Sequence, residues 1–181
     1  MNKFNKVIVA ASIMIGTSAF AGVFGTVSAQ PGLTYGDGTK SDQGSVIVGL
    51  ETGPLTLDGK VLVNVARGTN AVSSGLQGRA TYTLGGLWGR AGVGTTIVSN
   101  KPNEDYWVFG GGVNVPVYGG LVGTAEYERT KAMSGANPTF DTYKVGASYA
   151  LTAKNIVGAN WVAQVGDVES HSIQAFYTHK F

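Results

Sequence analysis

Apolar and polar side chains alternate along most of this chain, from residue 45 to residue 181. In the stretch 76–84, apolar or small residues occupy the even positions, and Gln, Arg and Thr occupy the odd ones. A period of two is typical of β-strands, whose successive side chains point to opposite faces, and helical spacing is hard to find. The pattern predicts an all-β protein with strand runs at 45–52, 55–65, 76–84, 87–97, 107–115, 121–128, 143–151, 157–165 and 173–181.

The connections between these runs are alternately short and long. Transmembrane barrels show this asymmetry, with tight turns at the periplasmic end and longer loops outside. Tilted strands of about 9–11 residues cross the hydrocarbon, and a sheet in lipid satisfies its backbone groups by closing on itself. The pattern therefore predicts a closed, antiparallel, up-and-down transmembrane β-barrel. Its short connections are 53–54, 85–86, 116–120 and 152–155, and its long ones are 68–75, 99–105, 131–139 and 166–170.

The number of strands follows from parity and spacing. Nine runs are clear, whereas bacterial single-chain barrels have an even number of strands. Strand starts recur roughly every 15 residues between 76 and 170, so the stretch 30–44 has room for one more strand. We place it around Leu33–Tyr35, with Asp37–Gln43 as its outer loop, and expect ten strands. The alternative is eight strands, with the run at 45–52 as a lead-in that does not span.

The first 29 residues have the layout of a secretory signal. Two lysines precede the apolar run VIVAASIMI, and small residues follow it. A basic start, an apolar centre and a small-residue end are typical of a cleaved signal peptide, and the apolar run is shorter than the roughly 20 residues that span a membrane. We expect cleavage after Ala29, which leaves residues 30–181 as the barrel domain. Cleavage after Ala21 is the alternative.

Composition narrows the range of possible chemistry. The net charge is only +2 and the basic residues are scattered, so nothing indicates nucleic-acid binding. The absence of Cys excludes disulfides, Cys-ligated zinc and thiol catalysis. Two His residues are too few for a His-rich metal site. We expect no cofactor and no metal site.

One cluster near the predicted rim contains residue types that hydrolases use. A nucleophile needs a base beside it and a third group that orients the base. His171 and Ser172 are neighbours on a strand, so their side chains point to opposite faces and do not form a pair. We therefore expect no catalytic residues and a protein that is not an enzyme. The cluster is Asp167, Glu169, Ser170, His171 and Ser172.

Charged residues within the runs share one face. A Lys or Arg that faces lipid at mid-membrane costs about 2–4 kcal/mol, so this face is predicted to be the lumen. Aromatic residues on the other face fall near the strand ends, as in the interfacial belts of membrane proteins. A soluble barrel or sandwich does not account for these belts. The predicted lumen set is Asp58, Lys60, Arg79, Arg90, Glu126, Glu128 and Lys144, and the predicted belts are Tyr82, Tyr149 and Phe181 at the turn end and Trp107, Tyr127, Tyr143 and Trp161 at the loop end.

Two interpretations of the lumen set stay open. The charges form a structural network, because buried charges in a narrow barrel must pair, or they line a small water-filled pore and tune its selectivity. Inward glycines such as Gly92 and Gly112 allow the same two interpretations. They leave room for water, or they let bulky side chains such as Arg79 and Trp88 pack. A third possibility is recognition by the outer loops 100–105 and 131–137.

The pattern as a whole resembles the small Gram-negative outer-membrane barrels. In size the chain resembles OmpX and the OmpA membrane domain, and in the order of its runs it resembles the YfaZ-like small porins. Its last strand, with Ile173, Tyr177 and Phe181 at alternate positions, resembles the C-terminal signal of such proteins, with His179 in place of a more usual apolar residue. The resemblance implies an outer-membrane location, contact with lipid and lipopolysaccharide, delivery by the barrel-assembly machinery, and a porin-like or structural barrel. The sequence does not fix the oligomeric state, and a monomer is favoured.

Overall fold

The computed structural model describes residues 23–30, 41–66, 72–98, 103–133, 139–167 and 169–181. These residues form strands joined by turns, and within them no helix is long and apolar enough to cross a membrane. The strands are β1 (Val23–Gln30), β2 (Ser41–Thr52), β3 (Leu55–Ala66), β4 (Val72–Leu84), β5 (Leu87–Val98), β6 (Glu104–Tyr118), β7 (Leu121–Ala132), β8 (Phe140–Ala150), β9 (Asn155–Gly166) and β10 (Ser170–Lys180).

The ten strands form one closed barrel. Each strand pairs antiparallel with its neighbour in the chain, and β1 pairs antiparallel with β10 to complete the ring. Closure gives every strand a partner on both sides, which is what a sheet needs in an environment without water. The prediction of a ten-stranded, up-and-down barrel is confirmed. The eight-stranded alternative is wrong, because the run at 45–52 belongs to the full-length strand β2.

The tenth strand lies earlier in the chain than expected. It is β1, Val23–Gln30, whereas the segment Leu33–Tyr35 that we predicted for it lies outside the described residues. The outer loop predicted at Asp37–Gln43 extends too far toward the C-terminus, since β2 begins at Ser41 and Gln43 pairs with Asn64. The first strand thus includes Val27, Ser28 and Ala29, which were predicted to be the end of the signal peptide.

Tight turns join the strands at one end of the barrel. Gly53, Gly85 and Gly119 have φ angles of 58°, 60° and 53°, a conformation that glycine adopts without a steric penalty. The connection predicted at 116–120 is shorter in the structure, because β6 continues through Pro116 to Tyr118. The register with β7 shifts between Pro116 and Tyr118, and such an irregularity near a strand end accommodates a residue without an N–H group.

Strands also reach further at the loop end than the apolar pattern indicated. β4 begins at Val72, β6 begins at Glu104 and β7 continues to Ala132. These positions were predicted to belong to long connections. Backbone pairing does not depend on apolar side chains, so the ladder continues beyond the apolar band into polar sequence.

The outer face carries the large apolar side chains. Leu76, Trp107, Val145 and Trp161 are each about half exposed on it, at 47%, 52%, 55% and 46%. Such exposure over a whole barrel suits a surface that lies in lipid rather than water. The predicted aromatic residues Tyr82, Tyr149, Trp107, Tyr127, Tyr143 and Trp161 are all among the exposed ones. The interior of the barrel is therefore the polar side of the sheet.

Candidate functional site

All seven predicted lumen charges lie on the inward face. The register brings several of them directly opposite one another, so that Asp58 is the cross-strand neighbour of Arg79 and Glu126 that of Lys144. Cross-strand neighbours on one face have their Cβ atoms about 5 Å apart, close enough for side chains to pair. The sequence predicted the face of these residues, and the register determines their partners.

Asp58 and Arg79 form the most buried ion pair. Arg79 donates from Nε to Asp58 Oδ1 at 2.7 Å, and its Nη2 lies 2.5 Å from the same oxygen. The two side chains are only 6% and 5% exposed. A carboxylate held by two guanidinium donors in such a place has its charge compensated locally.

Arg90 and Glu128 form a second pair that reaches over a strand. Arg90 on β5 and Glu128 on β7 both neighbour Gly110 on the intervening strand β6. Because Gly110 has no side chain, Arg90 Nη1 approaches Glu128 Oε2 to 3.7 Å. Arg90 also donates from Nε to Thr81 Oγ1 at 3.2 Å and lies 4.6 Å from the ring centre of Trp88. Trp88 thus holds the guanidinium by a cation–π contact.

Glu126 and Lys144 form the third pair. Lys144 donates from Nζ to Glu126 Oε1 at 2.8 Å, and both side chains keep some exposure to the lumen, at 30% and 21%. With this pair, three acids and three bases of the lumen set cancel each other. One base is left over.

That base is Lys60, which has no ion-pair or hydrogen-bond partner among the described residues. Its inward neighbours are Ile47 on β2 and Gln77 on β4, and neither side chain carries a charge. The acids Glu126 and Glu128 are on β7 and are held by other bases. The seven predicted lumen charges therefore sum to +1, which belongs to Lys60. A further acid of the wall, Glu104, is the first residue of β6 and lies at the loop end of the lumen.

Lys60 faces a polar cavity in the loop-side half of the barrel. The cavity has a volume of about 410 Å³, which is room for on the order of ten water molecules at about 30 Å³ each. Apart from charged residues, its wall is made mostly of amide, hydroxyl and phenol groups. The polar lining includes Gln43, Lys60, Asn64, Gln77, Thr96, Glu104, Tyr106, Glu126, Glu128, Thr130, Thr142, Lys144, Asn160, Gln164 and Gln174.

The amide residues of this wall form a group that we call the amide collar, consisting of Gln43, Asn64, Gln77, Asn160, Gln164 and Gln174. Some of its members form hydrogen bonds with one another or with neighbouring side chains. Gln43 Nε2 donates to Asn64 Oδ1 at 2.8 Å, and Gln77 Nε2 donates to the Tyr106 hydroxyl at 3.3 Å. None of these six residues was among the predicted site residues. For two of them a signal was available, because Asn64 and Gln77 have the same parity as the lumen charges on their strands.

Inward glycines serve as slots for neighbouring side chains. A Cβ atom added to Gly112 would lie 2.6 Å from Cζ2 of Trp88, and one added to Gly92 would lie 3.0 Å from Cγ of Arg79. Of the two interpretations of these glycines, the packing of bulky neighbours is the one that the structure shows. The slots let Trp88 and Arg79 lie along the wall, outside the lining of the cavity.

Two of the three predicted C-terminal residues lie on the outer face of β10, and the third, Phe181, directly follows this strand. Ile173 and Tyr177 are 51% and 44% exposed, and the Tyr177 hydroxyl donates to Asn155 Oδ1 at 2.7 Å. The Phe181 ring occupies the space where a side chain on Gly25 would stand. Ile173 and Tyr177 thus face outward on β10, and Phe181 touches β1.

The residues considered for hydrolase chemistry do not converge. His171 lies on the outer face and stacks on Trp161 with 5.9 Å between ring centres. Ser170 faces inward and donates to Gln164 Oε1 at 2.9 Å, while Ser172 accepts from Gln174 at 3.4 Å. Within the described ranges, no group of three or more His, Asp and Glu residues could hold a metal ion. Most of the outer loops 100–105 and 131–137, considered for recognition, lie outside the described residues.

An apolar outside, a charged lumen and a closed ten-stranded wall define an outer-membrane β-barrel. The family model of the Gram-negative porins matches residues 7–181. The chain belongs to this family, and its location is the outer membrane. The narrower resemblance to the OmpX, OmpA-domain and YfaZ-like groups stays a prediction. Among curated proteins, none matches the sequence.

Solved structures share the fold at low sequence identity. One, from a study of the in-meso crystallization of membrane proteins, is 11% identical, with a TM-score of 0.51 over 87% of this chain and 83% of that one. The outer membrane channel DcaP of Acinetobacter baumannii is 12% identical, with a TM-score of 0.42 over 90% of this chain and 60% of that one. The translocator domain of the autotransporter NalP from Neisseria meningitidis is 11% identical, with a TM-score of 0.47 over 98% and 94%. This chain thus spans 60% of the length of DcaP.

Proposed function

We propose that this protein is a small porin, a passive channel that lets small hydrophilic solutes cross the outer membrane with a preference for anions. The observation that carries the proposal is the polar cavity of about 410 Å³ with Lys60, a base outside the three ion pairs, on its wall. Membership of the Gram-negative porin family supports a channel over an enzyme.

The anion preference follows from the distribution of charge. The pairs Asp58–Arg79, Arg90–Glu128 and Glu126–Lys144 are each neutral. Lys60 then sets the sign of the potential in the middle of the lumen, while the acid Glu104 acts at the loop end of the cavity. A unit charge acts on an ion about 4 Å away in water with about 1 kcal/mol, so one lysine favours anions over cations several-fold without binding them tightly. Charged side chains along a pore act in this way on permeating ions.

The amide collar suits hydrophilic solutes. Amide groups both donate and accept hydrogen bonds, so they replace part of the water around a sugar, an amino acid or a small organic anion. Neutral hydrogen bonds of this kind contribute about 1 kcal/mol each. A wall of such groups favours entry and still permits release, which a diffusion channel requires.

A structural barrel without transport is the second candidate, and the three ion pairs favour it. Pairing of the charges stabilises the wall whether or not solute passes. The two candidates differ in one observable, which is current through the lumen. In either case we propose that the barrel is monomeric and contacts lipid and lipopolysaccharide. We also propose that Ile173, Tyr177 and Phe181 are recognised by the barrel-assembly machinery.

The test is conductance of the protein refolded in lipid, with folding confirmed by a heat-dependent shift in gel mobility. Discrete steps of current are expected in a planar bilayer. Asn64→Trp places a large ring in the cavity and should reduce the step size, whereas Val93→Trp places the same ring on the outer face, where Val93 is 42% exposed. A folded barrel that stays silent would overturn the porin proposal. Equal currents in both variants would show that ions do not pass through this cavity.

A further inference from the structure

We infer that the exported protein is cleaved at the peptide bond between Ala21 and Gly22, so that the whole of β1 is part of the mature barrel. The sequence alone favoured cleavage after Ala29. The structure gives a physical reason for the earlier site, and this reason is independent of whether the lumen conducts.

β1 closes the barrel through its backbone. It pairs with β2 from Val23↔Leu50 to Gln30↔Gln43, and on its other side with β10 from Thr26↔Lys180 to Ala29↔Tyr177. Cleavage after Ala29 would leave Gln30 as the only residue of this strand. The edges of β2 and β10 would then lose their partner.

Unpaired edges are costly at membrane depth. Each backbone N–H or C=O group without a partner in hydrocarbon costs several kcal/mol. The outward residues Gly25, Val27 and Ala29 of β1 form an apolar or small series that suits a lipid-facing surface. A nine-stranded remainder would have to close again in a new register or expose these edges.

Side chains of β1 also fit sites on both neighbouring strands. Phe24 faces inward, and its ring tip lies 2.8 Å from the position of a Cβ added to Gly49 on β2. The hydroxyls of Ser28 and Thr178 are 2.8 Å apart across the junction with β10. The Phe181 ring lies over Gly25 on the outside. Glycines stand where these two rings need space, which indicates that β1 belongs to the folded protein.

The earlier motif has the chemistry that a signal peptidase needs. Ala19-Phe20-Ala21 presents small side chains at the first and third positions before the bond, as Val27-Ser28-Ala29 nearly does. Water adds across the Ala21–Gly22 amide, giving a carboxylate on Ala21 and a free amine on Gly22. The bond after Ala29, by contrast, lies inside a strand that is paired on both sides.

The direct test is the N-terminal sequence and intact mass of the protein purified from the outer membrane. Gly22 is expected as the first residue, and Gln30 as the first residue would overturn the inference. Ala21→Leu puts a large side chain at the cleavage position and should cause the uncleaved precursor to accumulate. Ala29→Leu is the matched control, since Ala29 faces outward in β1, and processing should not change. Blocked processing in Ala29→Leu alone would also overturn the inference.

A second measurement separates processing from folding. Chains that begin at residue 22 and at residue 30 are refolded in the same lipid and compared by heat-dependent gel mobility. The longer chain should give the compact, heat-sensitive form, and the shorter chain should not. Equal yields of the compact form would show that β1 is dispensable, and the structural basis of the inference would be lost.

Discussion

Arg79 holds Asp58 through two of its nitrogens, at 2.7 and 2.5 Å from one carboxylate oxygen, on the inner wall of a membrane barrel. The pair joins β3 to β4 at directly opposed positions. Because both side chains are almost fully withdrawn from water, each depends on the other for its charge compensation. The pair stabilises the contact between these two strands and does not line the cavity.

Removing one member of this pair should weaken the barrel. Asp58→Asn leaves the Arg79 charge buried without compensation, and we expect the free energy of unfolding to fall by about 3 kcal/mol. Urea titration of the protein in lipid vesicles, followed by tryptophan fluorescence, measures the change.

The matched control is Asp141→Asn on the outer face. The Asp141–Arg129 pair is longer, at 3.8 Å, and its side chains are 27% and 44% exposed. Loss of such a pair costs no more than about 1 kcal/mol. Equal effects of the two variants would contradict the assignment of Asp58–Arg79 as the buried stabilising pair.

Lys60 should decide which ions pass. Lys60→Gln removes the positive charge from the middle of the lumen, so the anion-to-cation permeability ratio should fall about five- to thirty-fold, because the lysine attracts an anion and repels a cation by about 1 kcal/mol each. The ratio is obtained from the reversal potential in a salt gradient. Lys60→Glu should make the channel prefer cations.

Lys154→Gln is the control for this charge change. Lys154 is an exposed base in the turn between β8 and β9, outside the lining of the cavity. It removes the same charge, and the permeability ratio should stay within error of the unmodified protein. If Lys154→Gln shifts the ratio as much as Lys60→Gln, overall charge and not the lumen sets the selectivity.

The glycine slots predict a difference between two glycines on opposite faces. Gly112→Ala brings a methyl group within 2.6 Å of Trp88 and 2.5 Å of the Ala125 carbonyl oxygen, so we expect a loss of about 1–3 kcal/mol in the free energy of unfolding. Gly78→Ala is the control, because nothing lies within 4 Å of the added atom. A neutral Gly112→Ala would show that Trp88 moves aside freely.

The last aromatic residue should matter for assembly more than an ordinary lipid-facing one. Phe181→Ala removes the ring over Gly25 and should lower the fraction of heat-sensitive, folded protein in the outer membrane several-fold. Phe109→Ala is the control, as Phe109 is an outward aromatic on β6 with 42% exposure. Quantitative gels of outer-membrane fractions give the comparison. Equal yields of the two variants would count against a special role for Phe181.

The sequence predicted faces well, because a strand has a period of two. Arg79 and Glu126 were assigned to the lumen from parity alone, and the structure places them there. Their partners depend on register, which is set where each pair of strands meets and not by any one strand. The ion pair of Arg90 with Glu128 was harder still to predict from sequence, since it passes over Gly110 on a third strand.

The first strand was missed for a different reason. Its residues already alternate, with Phe24, Thr26 and Ser28 facing inward, but the same small and apolar residues complete the pattern of a signal peptide. One stretch of sequence satisfied two patterns at once. The pairing of β1 with β10 distinguishes a barrel strand from a signal-peptide segment, and this pairing joins the first strand to the last one.

The hydrogen bond between Ser28 and Thr178 joins residues that are 150 positions apart. A contact between residues so far apart in sequence forms late in folding, after the intervening strands have paired. Closing such a long loop earlier would cost too much conformational entropy. The wall therefore cannot be completed from either end alone. A nascent chain that ends at β9 has an unpaired strand edge on β9 and another on β1. An exposed strand edge is a template for aggregation. The unfinished chain must therefore be kept from contacting other copies of itself until β10 is available to pair with β1 and β9.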